Sequence, residues 1–163
     1  MSDVERSKQF YQRLGWRLDD DVAPTKDLRI AQFTPPGSAC SVTFGKGITP
    51  AAPGSAEGGL VVSDIEAARD ELVGRGIEAS DVWHGAPFPL EARLRGPDPK
   101  RTSYGSFFSF NDPDDNTWLV QEVTTRLPGH NWVLNQGNPV CFRTRGTASV
   151  NRISWLPATF MCK

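Results

Sequence analysis

Residues 104–122, YGSFFSFNDPDDNTWLVQE, decide the fold. An aromatic-rich arm at 105–110 and a β-branched, apolar arm at 117–123 flank Asn111-Asp112-Pro113-Asp114-Asp115-Asn116. Aromatic and β-branched side chains suit strands because they pack well on a pleated, half-buried surface. Proline pre-sets φ near about −65°, and Asn and Asp tolerate left-handed backbone, so the chain reverses between the arms. The stretch predicts a β-hairpin.

Working outward, two segments upstream repeat one another at a constant offset of 61 residues, which matches Ser2 with Ser63, Asp3 with Asp64, Glu5 with Glu66, Gly15 with Gly76 and Asp20 with Asp81. Ser2-Asp3-Val4-Glu5 and Ser63-Asp64-Ile65-Glu66 both read as a capping box, with Ser bonding an orphan N–H of the first turn and Glu reaching back. Val4, Ser7, Tyr11 and Leu14 fall at helical spacing, as do Ile65, Ala68 and Leu72, and Gly15 and Gly76 stand where left-handed caps end helices. The spacing predicts helices over 4–14 and 65–75. Strands are expected at 16–19, 28–34 and 40–44 after the first helix, with turns at 20–27 and 35–38. After the second helix they are expected at 77–84 and in the two hairpin arms. A strand at 59–62 precedes the second helix, behind the Pro/Gly/Ser/Ala linker 49–55, whereas only Met1 precedes Ser2. The fold class is therefore α+β: tandem βαβββ modules, about 1–48 and 56–127, with the first strand of module 1 missing. The sequence reads as one domain, 1–127, followed by an atypical tail.

The apolar strand leading into Asp-Pro-Asp-x-Asn and out through a second apolar strand resembles the last hairpin of the vicinal-oxygen-chelate superfamily, which contains glyoxalase I, bleomycin-resistance proteins and extradiol dioxygenases. Two βαβββ modules in order are also that superfamily's architecture. The resemblance covers about 2–127. Asp115 stands where the common form has Gly, a mild departure because Asp visits left-handed space more readily than most residues.

The bulk properties narrow the function classes. At 163 residues with net charge −1 and pI about 6.1, the chain supports one ordinary domain and carries no overall electrostatic footprint for nucleic acid or an anionic membrane. Cys40, Cys141 and Cys162 match no zinc spacing and form no even set for a disulfide framework. No apolar run approaches the roughly 18 residues of a membrane span, and the N-terminus is polar, so a soluble cytoplasmic protein is expected. The tail, 128–163, contains no Asp or Glu and no periodic apolar face, and disorder is its expected state. Its run 149–156 is the alternative, as a strand filling the vacant position. No Ser-His-Asp order, Walker A loop, dinucleotide fingerprint or His-Glu-x-x-His helix is present.

The resemblance implies a divalent metal on the concave face of a curved sheet, held by side chains from four strands, with open positions where substrate oxygens are polarised. It places the second module's first-strand donor at Glu57 and the last-strand donor at Leu119, which cannot bind a metal. Gln121 shares Leu119's face because strand side chains alternate, while Glu122 points the other way, as a surface or helix-facing charge. Glu57 is the only plausible metal ligand at a family position, and no cofactor follows from the residues themselves. Each candidate also has a plainer reading: Glu57 as a solvated linker residue, Gln121 as a hydrogen-bonded sheet residue. His84, at the end of a strand before the Gly/Pro-rich stretch 85–101, is the candidate general acid or base beside Glu57, or a surface histidine. Arg93, Arg95, Lys100 and Arg101 lie in a stretch that could close over an anionic ligand or stay solvated; Arg101, Tyr104 and Phe108 join Gln121 as candidate ligand contacts. Trp83, Tyr104, Phe108 and Trp118 are equally expected in the core.

Two functions are carried forward. One is a glyoxalase-like lyase, isomerase or dioxygenase acting on a small oxygenated molecule. The other is a non-enzymatic binder of the bleomycin-resistance type, in which two chains enclose a ligand in apolar clefts. A homodimer is expected with either, as the resemblance implies.

Overall fold

A computed structural model describes residues 2–86 and 89–125, and the backbone of Leu156–Ala158. Helices α1 (Val4–Arg13) and α2 (Ile65–Gly74) begin by the same device. Asp3 accepts from the backbone N–H groups of Glu5 and Arg6, and Asp64 from those of Glu66 and Ala67, each with extended cap backbone. The caps are thus Asp rather than the expected Ser one position earlier. Ser2 is engaged elsewhere: its backbone N–H and its hydroxyl donate to Asp114 of the hairpin turn. Gly15 and Gly76 follow the helices with φ of +81° and +74°, the left-handed backbone their positions predict.

Strands β1 (Arg17–Thr25), β2 (Leu28–Thr34) and β3 (Val42–Lys46) form an antiparallel sheet in chain order. β1 continues through the segment expected to turn, with irregularities in its ladder between Leu18 and Asp20 and between Val22 and Thr25, and the reversal falls at residues 26–27. The Asp-rich sequence is tolerated because Arg29 on the neighbouring strand donates to both carboxylate oxygens of Asp21, with Lys8 of α1 adding a third contact. These cations hold the Asp21 carboxyl far below the usual range, Arg29 contributing most.

In the second module β4 (Glu57–Val62) lies parallel to β8 (Thr117–Glu122), which pairs antiparallel with β7 (Ser106–Asn111), and β7 with β5 (Trp83–Gly85). The hairpin of 104–122 is therefore present, with Asp115 at φ +65°. The expected strand 77–84 is shorter, since only Trp83–Gly85 forms a ladder and Ala79 makes an isolated bridge to Phe110. The Gly/Pro-rich stretch after His84 is not a bare loop. It contains a single 3-10 turn, Leu90–Ala92, and strand β6 (Arg93–Arg95), which extends the sheet beyond β5.

Among the described residues no strand precedes α1, and β3, the counterpart of β8, has no partner on its outer edge. The edge of β4 is occupied. Strand β9 (Leu156–Ala158) pairs with it antiparallel, from Gly59 opposite Ala158 to Val61 opposite Leu156. The rest of the tail lies outside the described residues, including 149–155 of the run considered for this role.

One aromatic core joins the modules. Tyr11 packs against Trp16, Phe33, Phe44 and Trp118, with ring centroids 4.9–6.2 Å apart, and Trp16 meets Trp118 edge-on at 5.3 Å. Gly58, opposite Trp118 in the β4–β8 ladder, leaves room for that indole, because a Cβ there would stand 2.4 Å from the ring. Helix α2 covers the other half of the core through Ile65, Ala68 and Leu72, against Phe108 and Val120.

Candidate functional site

Strand alternation gives the second module two unlike faces. Ser106, Phe108 and Phe110 of β7 and Trp118, Val120 and Glu122 of β8 are buried on the helix side. The opposite, open face carries Trp83, Phe107, Gln121 and Val61 as one row across β5, β7, β8 and β4. A parallel row contains Ser109, Leu119 and Gly59, and a third Asn111, Thr117 and Glu57.

Trp83 is the most constrained residue of this face. Its ring stacks on Phe107 at 4.6 Å with 22° between planes, and the guanidinium of Arg93 lies 4.1 Å from the indole centroid. The residue is 6% exposed, yet its indole N–H has no acceptor among the described residues. Gln121 donates to the carbonyl oxygen of Tyr104 at 3.1 Å. Tyr104 is partly exposed at the end of the row, with φ +71°, and its backbone N–H donates to the Glu122 carbonyl at 2.8 Å.

The other anticipated residues stand elsewhere. Phe108 is wholly buried on the helix side, where no ligand on the open face reaches it. Arg101 donates to Glu122 and Glu66, each at 2.7 Å, and lies 3.5 Å from Asp64, so it serves as a clamp across the start of α2 rather than as a grip on a ligand. Its pKa is raised, chiefly by the bond to Glu66. Glu122 is fully buried and also accepts from the Ile65 N–H and the Ser106 hydroxyl, which is why a charge is tolerated there. His84 shares the face of Ser106 and not that of Trp83, with its Nδ1 2.8 Å from the Gly96 carbonyl oxygen.

Glu57 and Gln121 do share the open face, on adjacent strands. Glu57 is opposite Thr117, four residues from Gln121, which separates them by about 13 Å along the sheet. Donors to one ion must lie within a few ångströms of each other, so this pair does not form a shared metal site. Leu119, at the family's last-strand donor position, offers no donor atom. The donors present on the described residues thus do not fit a chelated metal, and no chemical step is routed through one.

Phe107 and Arg93 were not expected as a unit with Trp83. The signal available was the adjacent pair Phe107-Phe108 in a strand, since alternation forces one of the two rings onto the open face. The placement of Arg93 over Trp83 depends on β6, which the Gly/Pro-rich sequence hid. A recess of about 680 Å³ lies away from this row, between Phe10, Arg13, Ile77 and the turn residues Asp112 and Pro113.

The chain belongs to the Glyoxalase/Bleomycin resistance protein/Dioxygenase superfamily, whose family model matches residues 1–120. Among solved structures it is similar to TnmS3, an antibiotic binding protein from Streptomyces sp. CB03234, at 27% identity over 76% of this chain and 88% of that one, with a TM-score of 0.56. It is likewise similar to a glyoxalase/bleomycin resistance protein from the same Streptomyces strain, at 27% identity over 75% and 93% of the two chains, with a TM-score of 0.55. A superfamily member from Sphaerobacter thermophilus DSM 20745 shares the fold at 24% identity over 75% of this chain and 90% of that one, with a TM-score of 0.55. No curated protein matches the chain significantly. No helix among the described residues is long and apolar enough to cross a membrane.

Proposed function

We propose that this protein binds a small oxygenated aromatic molecule on the open face of its second module and holds it unchanged, as a sequestering protein. The observation that carries this reading is the row Trp83, Phe107, Gln121 and Val61: aromatic and apolar side chains with one polar one, and, among the described residues, no paired acid and base beside it. Small-molecule sites have this composition, with apolar area giving affinity and a few polar groups fixing orientation. The similarity to an antibiotic binding protein supports the same reading. A second copy of the chain, facing the first, supplies the opposite wall of the enclosure.

The test titrates the purified full chain with a panel of aromatic antibiotics, following tryptophan fluorescence and calorimetry, and then recovers each ligand for mass spectrometry. Saturable binding with ligand recovered unchanged is expected. Turnover of a bound compound, with or without added divalent metal, would replace this reading with a glyoxalase-like enzyme.

A further inference from the structure

We propose that the recess of about 680 Å³ between the two modules is a second binding site, and that its ligand is a small zwitterion whose ammonium and carboxylate flank an apolar body, as in a short apolar peptide. This site is separate from the open face and does not rest on the function proposed for it.

The recess follows from the way the second module is built. β5 pairs with β7 only at Ser106 and Phe107. Further along, residues 77–80 meet β7 through the isolated bridge of Ala79 to Phe110 and one backbone bond, from the Ser80 N–H to the Ser109 carbonyl at 2.8 Å. The end of α1 stands across from this loosely laddered segment, and the space between them lies within the roughly 300–1,000 Å³ of small-molecule sites. Its lining comes from α1, from the segment after α2 and from the end of β7 with its turn, so both modules contribute to it.

Floor and rim differ in chemistry. Phe10, Ile77 and Phe110 are buried and make an apolar floor, with the two rings 6.3 Å apart. Arg13, Glu78 and Asp115 line the same recess and are exposed. Their side chains have no ion pair or hydrogen bond among the described residues, whereas neighbouring Arg75 is paired with Glu71 at 2.7 Å. Asp115 holds left-handed backbone at φ +65°, which glycine adopts at lower cost, so what Asp adds there is a carboxylate on the rim. These charges decide the ligand. A simple anion suits Arg13 but meets Glu78 and Asp115, and a simple cation suits the carboxylates but meets Arg13. A molecule with both charges complements both kinds of rim group through charge-assisted hydrogen bonds, while its apolar body covers the floor.

The experiment compares four forms of one dipeptide, leucyl-phenylalanine, on the full chain: the free zwitterion, the N-acetylated form without the ammonium, the C-terminal amide without the carboxylate, and the doubly blocked form. Calorimetry or ligand-observed NMR gives each Kd, and the ¹H–¹⁵N spectrum locates the bound peptide. The free dipeptide is expected to bind about 2- to 5-fold more tightly than either singly blocked form, the range one exposed ion pair provides. Shifts are expected at residues 76–80 and 109–115, with Trp83, Phe107 and Gln121 unmoved. Arg13→Gln should remove the penalty for amidation and keep that for acetylation, whereas Glu78→Gln combined with Asp115→Gly should do the reverse. All three side chains are exposed, so the substitutions spare the core. Should one still prevent folding, the order of the four affinities in the unaltered protein, and its flattening by added salt, decide the question. Equal binding of the four forms, preferences that survive both sets of substitutions, shifts confined to the open face, or no binding at millimolar concentration overturns the inference. The antibiotic titration tests the sequestering function separately.

Discussion

The Tyr11 hydroxyl donates to Asp112 Oδ2 over 2.9 Å, tying the last turn of α1 to the turn that closes the last hairpin. The Tyr11 hydroxyl oxygen in turn accepts from the Trp118 indole at 3.2 Å, and Asp112 also accepts from the backbone N–H groups of Asp114 and Asn116 and from the Asn116 side chain. Burial, with Asp112 close by, pushes the Tyr11 pKa well above its ordinary value of 10.0. A folded-state pKa raised above the unfolded one means that the contribution is complete below about pH 10 and is lost as pH rises beyond it. Tyr11→Phe should cost about 1–3 kcal/mol at pH 7, because it orphans the Trp118 donor. Urea midpoints between pH 8 and pH 11 should fall more steeply in the parent protein than in the variant, and parallel slopes would refute the assignment.

Gly58 faces the Trp118 ring at a distance that admits no Cβ. Gly58→Ala should lower stability by about 1–3 kcal/mol, the usual cost of forcing a methyl into a packed core. Thermal unfolding should register this as a drop of roughly 2–4 °C per kcal/mol. An unchanged melting temperature would show that β4 and β8 are not in the register described.

Asp115 holds φ +65° in the hairpin turn. Glycine adopts that backbone without the steric cost a Cβ brings. Asp115→Gly should therefore stabilise the protein by up to about 1 kcal/mol, measurable as a modest rise in melting temperature, whereas Asp115→Val should lower it.

Arg101 and Glu122 form a partly covered ion pair whose carboxylate is fully buried. Removing the cation leaves that charge with only the Ile65 N–H and the Ser106 hydroxyl. Arg101→Met should cost about 3–5 kcal/mol, the range for breaking a buried pair from one side. Adding Glu122→Gln to it should recover part of the loss, and a double-variant cycle in urea measures the coupling.

The unpaired edge of β3 among the described residues invites a further strand. Extending the chain before Ser2 by about seven residues of alternating apolar pattern should raise the melting temperature by several degrees. It should also slow amide exchange at Val42–Lys46. Exchange unchanged there would show that the added segment does not pair with β3.

Periodicity and capping chemistry were enough to place both helices, the last hairpin and the two-module order, because these are local: Asp3, Asp64, Gly15 and Gly76 act within a turn of their own position. The open face was legible only in part. Alternation put Gln121 on the face of Leu119 and the family resemblance pointed to Glu57, but the four-residue offset that keeps them apart belongs to the β4–β8 register, which no local signal fixes. From sequence Arg101 is a candidate ligand contact, because its partners, Glu66 and Glu122, are distant along the chain. β1 hid behind an Asp-rich stretch that only Arg29 and Lys8 make tolerable, and β6 behind glycines and prolines. Tertiary structure decided where charge is neutralised and which residues face one another, since both depend on pairings between segments that the chain brings together only on folding.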